Sequence, residues 1–351
     1  MGSRPQTGLL FASITSLFCL FALTQSTHAT DRTALIDFDG DGKTDISVYR
    51  PGEWTVSNRA TSVFYALSSQ TGQTLIMPWG LGGDRPTPAD YDNDGITDVA
   101  IFRSWEETLK FPWEASDYWV KYSAGGYATN YFKGYGLLLS RNYFGDGKAE
   151  RAVYGSRVVS QEPNEPCYIL GFLISFEGNA FQKDITESCP DTNTSRTPAI
   201  GDYNNDGYSD IVMFVKSLEN ENEIGYFEVW NSPHTSGFTT PDAIVPFKID
   251  FPIPGDYDGD GKTDFAGGVI ENNRLVWRIK KSSTGAITKT VFGLPGDRPV
   301  PGDYDGDGKT DLAVFRAPYG LWYILQSSDG SWQVSQFGVP TDILIAQPNA
   351  S

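Results

Sequence analysis

A nine-residue segment recurs five times in this chain of 351 residues and constrains its fold more than any other feature. Each copy has Asp or Asn at positions 1, 3 and 5, Gly at position 6 and Asp at position 9. A sixth copy is altered, because Phe144 occupies position 3 and Glu150 position 9. The five intact copies cover residues 37–45, 90–98, 202–210, 256–264 and 303–311, and the altered copy covers 142–150. A period of about fifty residues indicates one supersecondary unit per repeat.

Each repeat also carries the pattern of a small antiparallel sheet. An apolar strand follows the intact loops at 46–50, 99–103, 211–214 and 312–316, and both of its faces are apolar, as expected for a strand buried on two sides. Aromatic-rich segments at 53–56, 118–122, 227–230, 275–279 and 321–324 predict a third strand. Turns at 282–285 and 327–330 then predict a fourth.

The fold class predicted by this pattern is all-β. Sheets that are repeated in this way and buried on both faces are typical of a β-propeller. The units predict six blades of about four antiparallel strands, with seven as the alternative. The segment 343–347 follows a copy of the inter-blade sequence but is not followed by a loop, and we expect it to close the ring by pairing with the first blade.

The repeated loop has the ligand pattern of a calcium site. A tight turn brings oxygen ligands at alternate positions to one centre, and a glycine at position 6 supplies the dihedral angles that the turn needs. We predict about five Ca²⁺ ions, because Mg²⁺ prefers a smaller and stricter octahedron. The predicted side-chain ligands are Asp37, Asp39, Asp41, Asp45, Asp90, Asp92, Asp94, Asp98, Asp202, Asn204, Asp206, Asp210, Asp256, Asp258, Asp260, Asp264, Asp303, Asp305, Asp307 and Asp311. Backbone carbonyl ligands are predicted at Lys43, Ile96, Tyr208, Lys262 and Lys309.

An EF-hand is excluded as the source of this pattern. An EF-hand loop ends in a bidentate Glu at position 12 and lies between two helices. Position 12 here is Val48, Ile101, Met213, Gly267 or Val314, and predicted strands flank the loops.

The segment 302–316 resembles the FG-GAP (VCBS-type) repeats of bacterial secreted proteins, which are similar to the blades of integrin α-subunit propellers. It reads Gly-Asp-Tyr-Asp-Gly-Asp-Gly-Lys-Thr-Asp-Leu-Ala-Val-Phe-Arg and follows a Phe-Gly and a Pro-Val-Pro. The resemblance extends over about residues 31–347. It implies a calcium-binding propeller with the ions between the first two strands of each blade. It implies little about activity, because such repeats occur in adhesion, sugar-binding and enzyme-associated proteins.

The N-terminus predicts a secretory signal peptide over residues 1–29. Arg4 precedes an apolar run from Leu9 to Leu23, which is short for a membrane span, and a small-residue cleavage site ends at Ala29. Residues 30–351 would then form a single calcium-binding propeller domain, secreted, at the cell surface or in the periplasm.

Two cysteines, Cys167 and Cys189, remain after this cleavage. In an exported chain they predict one disulfide, with two buried free thiols as the alternative. Both belong to the repeat with the altered loop, which suggests that the disulfide replaces the lost ion. Removing Cys167 should then lower the free energy of unfolding more than removing Asp146, and the opposite order in denaturant titrations would contradict the idea.

Charge and residue content limit the function. The formal net charge is −17, and an acidic surface argues against a nucleic-acid partner. The sequence favours a non-catalytic role, and we interpret the chain as a monomeric binding or adhesion module for a glycan or an extracellular protein, with Trp105 and Trp113 as candidate contacts. The alternative is a polysaccharide lyase or hydrolase, although His234 would be its only histidine after cleavage.

Overall fold

The computed structural model describes residues 36–55, 58–104, 116–132, 136–160, 167–176, 179–187, 194–219, 222–232 and 240–345. The predicted signal peptide, Trp105, Trp113, Cys189 and His234 lie outside these residues, as does the side chain of Cys167. The described part is built from strands, and its one helix is a short 3₁₀ turn at Ala317–Tyr319. It contains no helix with the length and hydropathy of a membrane span.

The strands are numbered in chain order. The first thirteen are β1 (Ile46–Arg50), β2 (Trp54–Thr55), β3 (Asn58–Arg59), β4 (Thr61–Leu67), β5 (Thr74–Leu81), β6 (Arg85–Pro86), β7 (Val99–Ser104), β8 (Ser116–Lys121), β9 (Tyr127–Phe132), β10 (Leu137–Leu138), β11 (Arg151–Ser160), β12 (Cys167–Phe176) and β13 (Asn179–Glu187). The others are β14 (Thr194–Pro198), β15 (Ile211–Glu219), β16 (Asn222–Trp230), β17 (Ala243–Pro246), β18 (Phe251–Pro252), β19 (Phe265–Glu271), β20 (Arg274–Lys280), β21 (Ile287–Val291), β22 (Arg298–Pro299), β23 (Leu312–Arg316), β24 (Leu321–Leu325), β25 (Trp332–Gln336) and β26 (Ile343–Leu344).

These strands form six four-stranded antiparallel sheets. Sheet 1 has the order β26-β1-β4-β5, and sheets 2 to 6 contain β6–β9, β10–β13, β14–β17, β18–β21 and β22–β25 in sequence order. Each of sheets 2 to 6 is an up-and-down meander, since every strand pairs with the next along the chain. The pair β2–β3 forms a separate small sheet.

The core lies between neighbouring sheets. Tyr49 of sheet 1 packs with Ile101 of sheet 2, and Val48 packs with Trp322 of sheet 6 on the other face of the same sheet. Similar clusters join sheets 2 and 3, 3 and 4, 4 and 5, and 5 and 6, so the sheets follow one another in a closed circle. This arrangement confirms the predicted all-β propeller. Burying one such large apolar side chain contributes roughly 1.5–3 kcal/mol, which explains why the second strands are apolar on both faces.

The aromatic residues of the third strands belong to this core, with one exception. Trp277 in β20 and Trp322 in β24 are fully buried between sheets. The prediction of a third strand at 53–56 was wrong, because Trp54 belongs to the β2–β3 hairpin and β4 is the strand next to β1. The chain must turn sharply here, since a Cβ on Gly52 would lie 2.1 Å from the Ala60 carbonyl oxygen. Trp54 is therefore 51% exposed instead of buried.

The last strand closes the circle as expected. β26 pairs antiparallel with β1, with Val48 opposite Leu344 and Tyr49 opposite Ile343. The side chain of Asp342, just before β26, accepts hydrogen bonds from Arg50 Nε and Nη2 at 2.8 and 2.9 Å. The two ends of the described chain are thus held in one sheet.

A second closed ring is formed by the six repeated loops. In each loop the N–H of position 8 donates to the position-1 carbonyl of the loop before it, at 2.6–2.7 Å. The pairs are Thr44 to Asp303, Thr97 to Asp37, Ala149 to Asp90, Ser209 to Asn142, Thr263 to Asp202 and Thr310 to Asp256. Residues of the five intact loops line a cavity of about 390 Å³. They therefore meet around the centre of the molecule, at one end of the sheets.

Close contact between the loops explains a glycine that precedes three of them. A Cβ on Gly302 would lie 2.7 Å from the Thr44 side chain, and Gly201 and Gly255 face Thr263 and Thr310 in the same way. Real Cβ atoms essentially never come so close to another heavy atom, so a side chain here would push neighbouring loops apart.

Candidate metal centres

The intact loops of sheets 2, 4, 5 and 6 connect the first strand of the sheet to the second, inner strand, whereas the loop 37–45 leads into β1, whose first-strand neighbour β26 comes from the other end of the described chain. The residue before position 1 pairs with position 9 at the base of the loop, as Gly302 does with Asp311 and Ala89 with Asp98. This base fixes the two ends of the nine-residue segment, while the residues between them fold into a tight turn. The inner strand then begins directly after position 9.

The carboxylate of position 1 organises this turn. In the loop 303–311, Asp303 accepts hydrogen bonds from the N–H groups of Gly306 and Gly308 at 2.6 and 3.0 Å. Those two residues have φ values of 78° and 84°, a region that glycine enters without steric cost. The other loops repeat this geometry, and two of them use Asn93 and Asn205 at position 4 with φ values of 65° and 62°.

The carboxylate of position 9 is buried at the base of every intact loop. Asp311 accepts hydrogen bonds from the N–H groups of Tyr304 and Ser327 at 2.8 and 2.7 Å, and its four equivalents have the same two kinds of donor. Burial raises the pKa of these carboxyls to about 6 at Asp45, Asp264 and Asp311, and to about 7 at Asp98 and Asp210.

Several carboxylates converge in four of the loops. One oxygen from each of three residues lies within 4.8 Å of the others in the groups Asp37-Asp39-Asp41, Asp90-Asp92-Asp94, Asp256-Asp258-Asp260 and Asp303-Asp305-Asp311. The loop 202–210 has Asn204 at position 3, so it contributes an amide where the others have a carboxylate. Like charges this close are unfavourable without a cation, and burial with the charges of Asp94 and Asp90 raises the pKa of Asp92.

Two oxygens in these groups have no partner in the described structure. Asp92 Oδ1 and Asp258 Oδ1 are buried and accept no hydrogen bond. An unsatisfied buried acceptor costs free energy, and both atoms belong to position 3, the second of the predicted ligand positions. The site therefore has the donors of a hard-cation centre: several oxygens, a compact arrangement and unfilled acceptor capacity.

Residues 37–101 and 256–314 match the family model of the FG-GAP-like repeat. These two stretches are FG-GAP-like repeats. Each contains two intact loops, 37–45 and 90–98 in the first stretch and 256–264 and 303–311 in the second, and each ends within the inner strand that follows its second loop. Comparison with curated protein sequences finds no match.

Two solved structures align with this chain at low sequence identity. TolB from Acinetobacter baumannii aligns with 85% of this chain at 15% identity and a TM-score of 0.47, and the alignment spans 65% of TolB, under two thirds of its length. MPT-4, a mannose phosphorylase from Leishmania mexicana in complex with a phosphate ion, aligns over 90% of this chain and 87% of its own at 12% identity, with a TM-score of 0.30.

The intact loops have serine partners that the sequence analysis missed. Ser283 Oγ donates to Asp258 at 2.6 Å and Ser328 Oγ to Asp305 at 2.7 Å, while Ser327 Oγ donates to Asp307 at 2.8 Å. Ser68, Ser69, Ser123, Ser232 and Ser282 make equivalent bonds in their own loops. These serines begin the turn between the third and fourth strands. A serine pair at 68–69, 282–283 and 327–328 was the available sequence signal.

The residues predicted as carbonyl ligands lie at the end of the turn. The N–H groups of Lys43, Ile96, Tyr208, Lys262 and Lys309 each donate to the position-5 carboxylate of their own loop, at 2.8–3.0 Å. This bond fixes the orientation of the position-7 peptide group. Whether its carbonyl binds a metal stays a prediction.

The altered loop 142–150 keeps the turn geometry of the other loops, although it lacks the cluster of three aspartates that four of them have. Asn142 Oδ1 accepts from the Gly145 N–H at 2.7 Å, and Glu150 Oε2 accepts from the Tyr143 N–H at 2.6 Å, as the aspartates do elsewhere. Phe144 packs against the hydrophobic cluster that joins sheets 3 and 4. An apolar contact thus occupies the place where the other loops have a predicted ligand.

Proposed function

We propose that this chain is a calcium-binding six-bladed propeller in which five ions stabilise the blades. The observation that carries the proposal is the convergence of uncompensated carboxylates in the repeated loops, together with the unpartnered oxygens of Asp92 and Asp258. In the loop 303–311 the ion would be held by Asp303, Asp305, Asp307, the Lys309 carbonyl and Asp311. A bound divalent cation would compensate their charge and bridge the first two strands of the sheet.

The blade count and the domain assignment are part of this proposal. Six four-stranded sheets and six loops in a hydrogen-bonded ring support six blades in one domain over residues 30–351. We also propose that residues 1–29 are a secretory signal peptide. Export is consistent with sites that need the millimolar calcium found outside cells, because extracellular calcium modules bind at about 10⁻⁴ to 10⁻³ M.

We further propose that the propeller is a non-enzymatic binding module for a glycan or an extracellular protein. Among the described residues, the connections between the second and third strands of sheets 1 and 6 lie opposite the calcium loops, and each presents an exposed aromatic ring, Trp54 at 51% and Tyr319 at 64% exposure. One face of the Trp54 ring lies close to Gly83, since a Cβ on Gly83 would be 3.8 Å from the indole ring. A ring held on one side and exposed on the other is a rigid contact surface for a ligand.

Binding of the full chain to a glycan array in calcium tests this role. We expect retention without cleavage, and Trp54→Ala should lower the retained signal about tenfold or more, as loss of an aromatic contact residue does at other interfaces. Trp332→Ala is the matched control, because Trp332 is 65% exposed on the outer strand β25, away from this face.

The other outcomes separate the alternatives. Release of shortened products would favour a polysaccharide lyase or hydrolase, and a signal that both tryptophan variants lower equally would contradict a binding surface at Trp54. Absence of glycan retention would leave an extracellular protein as the proposed ligand.

A further inference from the structure

We infer that the calcium sites of this propeller bind cooperatively, because the repeated loops contact one another directly. This inference rests on the proposed calcium binding. The hydrogen bonds from the position-8 N–H to the position-1 carbonyl join each repeated loop directly to the loop before it. The acceptor is the carbonyl of position 1, a proposed ligand residue, as in Asp303, which accepts from Thr44 at 2.7 Å. The donor at position 8 lies between two further proposed ligand residues, here Lys43 and Asp45.

Side chains at position 7 add contacts to the ring, because they lie against the position-4 glycine of the loop before them. Lys43 lies against the loop before it, where a Cβ on Gly306 would be 2.9 Å from Lys43 Cε. Ile96 lies against Gly40, with a corresponding distance of 3.0 Å, and Lys309 lies against Gly259 at 2.9 Å. A loop ordered by an ion therefore fixes the backbone and side chains that its neighbour packs against.

The direction of the coupling follows from two opposing effects. An ion that restrains one loop also restrains the neighbour bonded to it, which lowers the entropic cost of binding the next ion and favours positive cooperativity. A filled neighbour also carries two fewer negative charges, which weakens the attraction of the next ion. Salt screens the second effect over a Debye length of about 8 Å at physiological ionic strength, so we expect ordering to prevail there.

The altered loop makes the five sites a row instead of a circle. Around the ring, the intact loops follow one another in the order 202–210, 256–264, 303–311, 37–45 and 90–98. The loop 142–150 lies between the two ends of this row, because Ala149 bonds to Asp90 and Ser209 bonds to Asn142. The loop 303–311 is thus the middle site, with two intact sites on either side.

Calcium titration of the full chain after chelation, followed by calorimetry at physiological ionic strength, tests the coupling. Asp305→Ala removes the middle site and leaves two separate pairs, whereas Asp92→Ala removes an end site and leaves four in a row. Coupling between sites is commonly about fivefold or more in affinity. We expect a Hill coefficient above 1 for the unmodified chain and a similar value for Asp92→Ala. For Asp305→Ala we expect a lower Hill coefficient, because each remaining site has only one neighbour.

Circular dichroism at each calcium concentration separates site coupling from global folding. Folding would raise the Hill coefficient of both variants equally, because each has lost one site, so equal values overturn the inference. Five ions bound with a Hill coefficient of 1 would overturn the coupling but leave the proposed calcium binding intact. Failure of the unmodified chain to bind calcium would overturn both. If an alanine variant at position 3 does not fold, Asp307→Ala and Asp94→Ala repeat the comparison at position 5 of the same two loops.

Discussion

Chelation of calcium is expected to lower the melting temperature on the order of 10 °C. A site that is tenfold above its dissociation constant contributes about 1.4 kcal/mol to folding, so five sites contribute several kcal/mol. In domains of this size class, each kcal/mol shifts the melting temperature by roughly 2–4 °C. The physical source is the set of carboxylates that converge within 4.8 Å and repel one another when no cation is present. Thermal unfolding in calcium and in excess EDTA measures the effect.

Two single substitutions provide the matched control. Asp305→Ala alters an intact loop. It should reduce the difference in melting temperature between calcium and EDTA by about a fifth or more, as expected for one site of five. Asp146→Ala alters the loop in which Phe144 stands at a predicted ligand position, and it should leave this difference in melting temperature unchanged. Melting curves that coincide in calcium and EDTA would contradict a structural role of the ions.

The sequence predicted the repeated parts of this fold because the same local pattern occurs in every unit. Loops, inner strands and the fourth strands at β21 and β25 follow from residues close together in the chain. The hairpin at Trp54 departs from the pattern of the other units, and its position depends on how Gly52 approaches Ala60, a tertiary contact that no local periodicity encodes.

Partners far apart in sequence were the second part that could not be predicted. Ser68 reaches Asp39 across 29 residues, and Arg50 reaches Asp342 across 292. Serine in a turn and arginine at a strand end are common surface residues, so their type alone gives no sign of a specific partner. Both contacts depend on sheets that must first be assembled.

Removing the Arg50–Asp342 ion pair is expected to weaken the pairing of β26 with β1 that closes the circle of sheets. Asp342→Ala should lower the urea midpoint of unfolding and increase hydrogen exchange in β1 and β26. The Asp342 side chain is fully buried, and it holds β26 by two bonds from Arg50 and one from the Val339 N–H at 2.9 Å. Removing one partner of a buried ion pair costs about 3–5 kcal/mol, and the 42% exposure of Arg50 should reduce that figure.

Asp297→Ala is the matched control for closure. Asp297 makes the same pair of bonds to Arg316, at 2.8 and 2.7 Å, and accepts from the Leu294 N–H, but all these residues belong to or directly precede sheet 6. Its loss should destabilise the protein through one blade only, with increased exchange in β22 and β23. Deleting residues 342–351 removes β26 as well and should exceed both substitutions, since β1 would become an unpaired edge. Equal protection of β1 in Asp342→Ala and Asp297→Ala would show that this pair does not hold the ring closed.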